Sequence, residues 1–282
     1  MALLSQRNPY IEIVNSNIMC GTYTHILFDF DGTLSLIREG WQRVMQQYFE
    51  EVIIAIPEAS NYPYEYIQCT IREIIEKNTG KQTIYQCIAL AEYVQRLGSQ
   101  PMAAQEYKDE YQKRLLQKIQ YRIEDLSINA KSRTKYLVKG SLDLLEMLSS
   151  HNAKLYLASG TDQEYVEKET KLLGLDKFFN NNIFGAQREY KTFSKKRVIR
   201  DILESYALNR TELLGIGDGY VEIENVKQVG GLTCAVCSDE TGSGNIDKWK
   251  YKRLKTVGAD MLISDYSDVD LLEQILFGTG YK

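Results

Sequence analysis

From about residue 137 onward, helix-like stretches alternate with short apolar runs. Helices are expected at 141–150, 162–173, 195–206, 220–229, near 247–256 and over DVDLLEQIL, and strands at 154–158, near 183–185, 212–216, 232–237 and 260–263. Such alternation builds a parallel sheet, because a parallel neighbour is reached only through a crossover, and the crossover helices cover both faces. One more apolar run lies far upstream, at 25–30. Between it and the alternating half, REGWQRVMQQYFEEVI, YEYIQCTIREIIEKN, QTIYQCIALAEYVQRLG and AAQEYKDEYQKRLLQKIQ place apolar residues three and four apart, as amphipathic helices do. The expected fold is α/β: a doubly wound, Rossmann-like parallel sheet core with an inserted α-helical cap domain. Its expected limits are an N-terminal extension at 1–24 with a short strand at IEIV, a core at 25–36 and 137–282, and a helical cap at 37–136.

The upstream strand carries the chemistry. Residues 25–34 read HILFDFDGTL, so Ile26, Leu27 and Phe28 deliver Asp29 and Asp31 onto a Gly-Thr turn. Open α/β sheets place their sites at strand ends, and two carboxylates at the mouth of a buried strand are costly without a cation or a reaction to use them. An Asp-Gly turn with a solvated Asp before it is the plainer alternative. A second apolar run, AKLYLAS, closes on Ser159-Gly160, beside a helix N-terminus whose free N–H groups suit an anion. Thr161 and Glu164 form T-x-x-E, so Thr161 is expected to cap that helix. In EYKTFSKKRVIR, Lys191, Lys195 and Lys196 precede an amphipathic stretch, and at most one is expected to reach the site. In ELLGIGDGYVEIENV, Asp218 follows an apolar run and Glu222 stands four residues on; a helix starting near Gly219 would bring both to one face. The same stretch fails the dinucleotide pattern G-x-G-x-x-G, which would need glycine where Tyr220 stands.

D-x-D-G-T after a strand resembles motif I of the haloacid dehalogenase superfamily, and the three later signals follow in that family's order. The resemblance implies that Asp29 attacks phosphorus to form an aspartyl-phosphate, while Asp31 protonates the leaving oxygen and later activates water. It implies Mg²⁺ as cofactor, held by Asp29, Asp31 (through its backbone carbonyl), Asp218 and Glu222. Glu222 departs from the commoner Asp, which leaves direct or water-mediated contact open. Ser159, Gly160 and one lysine would hold the phosphoryl group. That lysine often precedes a helix with apolar residues three and four positions later, which fits Lys195 through Val198 and Ile199, with Lys191 as second choice. The acid at Asp31 favours a phosphatase over a dehalogenase, which lacks it.

The helical insertion resembles the cap of phosphoglycolate-phosphatase-like and β-phosphoglucomutase-like members. Its turn NTGKQT (78–83) offers Thr79, Lys81 and Gln82 to a substrate, although NTGK also reads as an ordinary helix stop. The expected activity is Mg²⁺-dependent hydrolysis of a small phosphorylated metabolite, a sugar phosphate or a phosphoglycolate-like compound. A phosphosugar mutase and a non-catalytic binding module are the alternatives.

Composition narrows the partners. A net charge of −4 and a pI near 5.5 argue against nucleic acid. No apolar stretch is long enough for a bilayer, and the first residues are too polar for a signal peptide, so a cytoplasmic location and no membrane partner are expected. Five cysteines lack framework spacing, and Cys234 and Cys237, a lone C-x-x-C in an apolar run, read as small buried strand residues. Only two histidines exist, His25 and His151, and neither lies near a plausible nucleophile.

Overall fold

The computed structural model describes residues 10–16, 21–241 and 243–278. Seven strands form one sheet: β1 (Ile11–Ile13), β2 (His25–Phe28), β3 (Lys154–Asp162), β4 (Ile183–Ala186), β5 (Leu213–Gly217), β6 (Leu232–Val236) and β7 (Met261–Ile263). Their spatial order is β1-β7-β6-β5-β2-β3-β4. Every pairing is parallel except that of β1 with β7. Four helices fall between β2 and β3: α1 (Trp41–Ile54), α2 (Tyr64–Asn78), α3 (Ile84–Arg96) and α4 (Ala104–Ile128). The remaining helices are α5 (Ser141–Ser150), α6 (Gln163–Leu173), α7 (Asp176–Phe179), α8 (Lys195–Tyr206), α9 (Tyr220–Gln228), α10 (Lys248–Thr256) and α11 (Val269–Phe277).

Side chains on a strand alternate between faces, and β2 shows how two layers grow from one strand. Ile26 and Phe28 join the cluster that includes Leu144 and Leu148 of α5, Phe179 of α7 and Leu272 of α11. Leu27 joins Val198, Ile199 and Ile202 of α8 and Val226 of α9 on the other face. Cys234 and Cys237 are buried in different clusters, Cys234 beside the β2 face and Cys237 with Leu254 and Leu262. Burial pushes the Cys237 thiol up to about 12, so the pair behaves as packing. Cys20 lies outside the described residues.

Two elements depart from expectation. The IEIV strand pairs antiparallel with β7, Ile11 opposite Ile263 and Ile13 opposite Met261, so the sheet is not wholly parallel and the N-terminal segment finishes its edge. Glu12 secures it there, accepting from the Tyr251 hydroxyl and from Lys255 Nζ at 2.8 Å each. The second departure is β3, expected to end at 158 but continuing to Asp162. Its register against β4 shifts between Ala158 and Asp162, a bulge that re-aims the intervening side chains.

Among the described residues, no helix is long and apolar enough to cross a membrane.

Candidate active site

Register brings the site together. Phe28 lies level with Leu157 on one neighbour and Ile216 on the other. The residues just beyond these three therefore emerge at the same, C-terminal edge of the sheet: Asp29 after β2, Ser159 within β3 and Asp218 after β5. The turn after Asp29 is drawn tight by Leu34 and Ser35, whose N–H groups both donate to the Phe30 carbonyl at 2.9 Å. Gly32 takes φ +78°, and a Cβ there would lie 2.2 Å from Asp218 Oδ2, so both backbone conformation and space demand glycine. Thr33 closes the turn onto β5: its hydroxyl accepts from the Asp218 N–H at 2.9 Å.

Of the three lysines, Lys195 is the one that reaches Asp29. Its ammonium is buried, 2.7 Å from Asp29 Oδ1 and 2.9 Å from Glu222 Oε2. Burial works against its charge, but Asp29 and Glu222 outweigh burial and hold it above its ordinary range. Lys191 and Lys196 are exposed. Burial pushes the Asp29 carboxyl up and the charges of Glu222 and Asp218 add to that, while Lys195 opposes it.

Asp218 and Glu222 converge differently from expectation. Asp218 precedes α9 rather than sharing its face, and Glu222 folds back so that Oε1 accepts from the Gly219 N–H at 2.5 Å. Gly217 and Gly219 leave room for this, since a Cβ on either would fall within 2.6 Å of the Glu222 side chain. Asp29, Asp218 and Glu222 each place a carboxylate oxygen within 4.8 Å of the others, an all-oxygen donor set.

Asp31 is partly buried, its side chain 20% exposed. The bulge in β3 turns Ser159 and Thr161 toward it, and their hydroxyls donate to Oδ2 at 3.2 and 2.8 Å. Thr161 is therefore not the helix cap: Asp162 occupies the N-cap of α6. The other oxygen, Oδ1, is buried without a hydrogen-bond partner, with Arg38 Nε 3.9 Å away. Arg38 is itself held by Glu169 of α6 through contacts of 2.7 to 3.1 Å. Burial raises the Asp31 carboxyl above its ordinary range, with Arg38 and the two hydroxyls opposing.

The cap closes the site from above. The backbone of Lys81 lies on Gly160, where a Cβ would come within 2.4 Å of the Lys81 carbonyl oxygen. A cavity of about 80 Å³ remains, lined by Asp29, Asp31, Ser159 and Lys195 from the core and by Thr79, Lys81 and Tyr111 from the cap. Trp41 of α1 and Trp249 of α10 also face it, and they are the only tryptophans in the chain. Thr79 and Lys81 of the NTGKQT turn thus reach the cavity, but Gln82 does not line it. Its Nε2 donates to the Tyr190 and Phe193 carbonyls at 2.8 Å each, fastening the turn to the segment before α8. Other ties between cap and core are Lys108 to Asp162 at 2.5 Å, Arg253 to the Glu76 carbonyl at 2.6 Å and the Tyr220 hydroxyl to the Lys77 carbonyl at 3.0 Å.

Arg38 with Glu169, Thr161, and Lys250, whose Nζ lies 2.8 Å from Asp218 Oδ2 and 2.5 Å from Glu240 Oε1, were not anticipated beside these residues. Of these only Thr161 had a local signal, and that signal also fits a cap.

The model of the haloacid dehalogenase-like hydrolases matches residues 23–230. The chain belongs to that family. No curated protein shows significant similarity to it. Among solved structures, it is similar to a predicted phosphoglycolate phosphatase from Haemophilus somnus (13% identity, TM-score 0.55, 90% of this chain and 99% of that one). It is also similar to a haloacid dehalogenase-like family protein from Streptococcus pneumoniae (20%, 0.57, 89% and 98%) and to a predicted phosphatase from Clostridium acetobutylicum (19%, 0.57, 90% and 98%). Identities this low establish the shared fold.

Proposed function

We propose that the protein is a Mg²⁺-dependent phosphatase of a small phosphorylated metabolite. The observation that carries this reading is the arrangement of its two aspartates, Asp29 buried and gripped by Lys195, and Asp31 oriented toward the same cavity by Ser159 and Thr161. Asp29 attacks phosphorus; the P–O bond to the leaving group breaks as the Asp29–phosphorus bond forms. Asp31, oriented by Ser159 and Thr161 through Oδ2, carries a proton to the departing oxygen and then takes a proton from the water that hydrolyses the aspartyl-phosphate. Its raised pKa suits an acid that must be protonated at the first step. Lys195 offsets charge on the phosphoryl oxygens, and phosphoryl transfer depends chiefly on such positioning and neutralisation.

The donor set fits a hard cation. Asp29, Asp218 and the Asp31 carbonyl would hold Mg²⁺. Both Glu222 oxygens are already engaged, by Lys195 and by the Gly219 N–H, which favours contact through water. When bound, the ion supplies positive charge to the phosphoryl oxygens and to the crowded carboxylates.

The test is phosphate release from sugar phosphates, phosphoglycolate, nucleotides and an aryl phosphate, with and without Mg²⁺. Release that requires Mg²⁺ and falls by at least about 10³-fold in Asp29→Asn is expected. Absence of release from every compound by a folded, Mg²⁺-binding protein would sink the reading.

A further inference from the structure

Beyond the segment matched by the family model, two charged residues reach the site from the far side. Glu240 lies in the loop after β6 and Lys250 in the first turn of α10. Lys250 Nζ stands 2.8 Å from Asp218 Oδ2 and 2.5 Å from Glu240 Oε1, and its side chain is 7% exposed. We propose that Lys250, braced by Glu240, is a positioning residue that fixes the Asp218 carboxylate through Oδ2 and so leaves Oδ1 for the cation. The inference rests on the reading of the site as Mg²⁺-dependent.

Several independent features hold this arrangement in place. Asp247 caps α10, its Oδ1 accepting from the N–H groups of Trp249 and Lys250 at 2.8 and 2.9 Å, so the backbone beneath Lys250 is anchored. Glu240 takes φ +58°, in the left-handed region that side chains rarely adopt, and such conformations persist where the surroundings impose them. Gly32 makes the space: a Cβ there would lie 2.2 Å from Asp218 Oδ2 and 3.0 Å from Glu240 Oε1. The catalytic turn and the Lys250 pair are therefore fitted to the same carboxylate. The remaining Asp218 oxygen, Oδ1, has the Thr33 hydroxyl at 3.4 Å, too long to hold it firmly.

An ammonium beside a cation's ligand repels the cation, so on charge alone Lys250 weakens metal binding. Positioning acts in the opposite direction, because a carboxylate free to rotate loses affinity when it must be ordered by the ion itself. Removing the lysine separates the two effects by sign.

The experiment is calorimetric titration of Mg²⁺ into the full chain as wild type, Lys250→Met, Asp218→Asn and the double variant, with circular dichroism and melting of each recorded without metal. Lys250→Met is expected to bind Mg²⁺ about ten-fold more weakly, and to cause no further loss once Asp218 is replaced. Equal or tighter binding by Lys250→Met would overturn the proposal, as would the same loss with and without Asp218. If Lys250→Met does not fold, Lys250→Gln is read by the same criteria. A wild type that fails to bind Mg²⁺, or an Asp218→Asn that binds it undiminished, would instead defeat the metal reading itself.

Discussion

Ionised Asp31 costs the fold stability. Burial lifts its pKa above the ordinary value of about 4. An acid raised in the folded state contributes most stability below its unfolded pKa, and that contribution is lost as pH rises through the folded one. Ionised Asp31 is therefore a burden at neutral pH, and Asp31→Asn should melt higher than wild type at pH 8. The gap should narrow at pH 5, each kcal/mol relieved being worth about 2–4 °C in a chain of this size. Melting curves in metal-free buffer check this; a gap that does not change with pH would contradict it. Legibility at this scale followed chain distance. Asp29, Asp31, Asp218 and Lys195 announce themselves through short local patterns. Arg38 and Lys250 do not, because what makes each significant is a partner far along the chain, Glu169 for one and Asp218 for the other. Thr161 was obscured differently: T-x-x-E looks the same whether the hydroxyl caps a helix or, after a bulge, turns to Asp31.

Among elements, the helices were the most readable, since an amphipathic helix is defined by residues within a few positions of one another. The strands were less so. The length of β3 depends on a register shift against β4, and the orientation of β1 depends on β7, some 250 residues away. Helix α10 was anticipated, but its work was not. Beyond Lys250, it presents Arg253, whose guanidinium lies 4.5 Å from the Tyr220 ring centroid and 4.9 Å from that of Trp249 and donates to the last turn of α2. A helix C-terminus favours a cation, so this contact holds the cap down at the point where it meets the site. A hydrogen bond from a charged group contributes about 1.5–3 kcal/mol. Arg253→Ala should accordingly lower kcat/KM about ten-fold or more, mainly through KM, with a melting temperature close to wild type. An unchanged KM would show that the contact does not govern closure.

For the molecule as a whole, a largely parallel core with a helical insertion was open to sequence reasoning because alternation of elements dictates a parallel core and a long helical interruption must leave it. How the two parts meet was not. Contacts such as Gln82 to Tyr190 and Lys108 to Asp162 join residues far apart along the chain and leave no local pattern. The cavity they enclose has one tryptophan on each wall, Trp41 on the first cap helix and Trp249 on α10. Excitation at wavelengths tyrosine does not absorb therefore reports on this cavity alone, without a label. Phosphate or a non-hydrolysable substrate analogue, added with Mg²⁺, should shift the emission of both indoles. Trp41→Phe and Trp249→Phe would then resolve which of the two walls the signal comes from, so this chain carries its own optical gauge of what occupies the cavity.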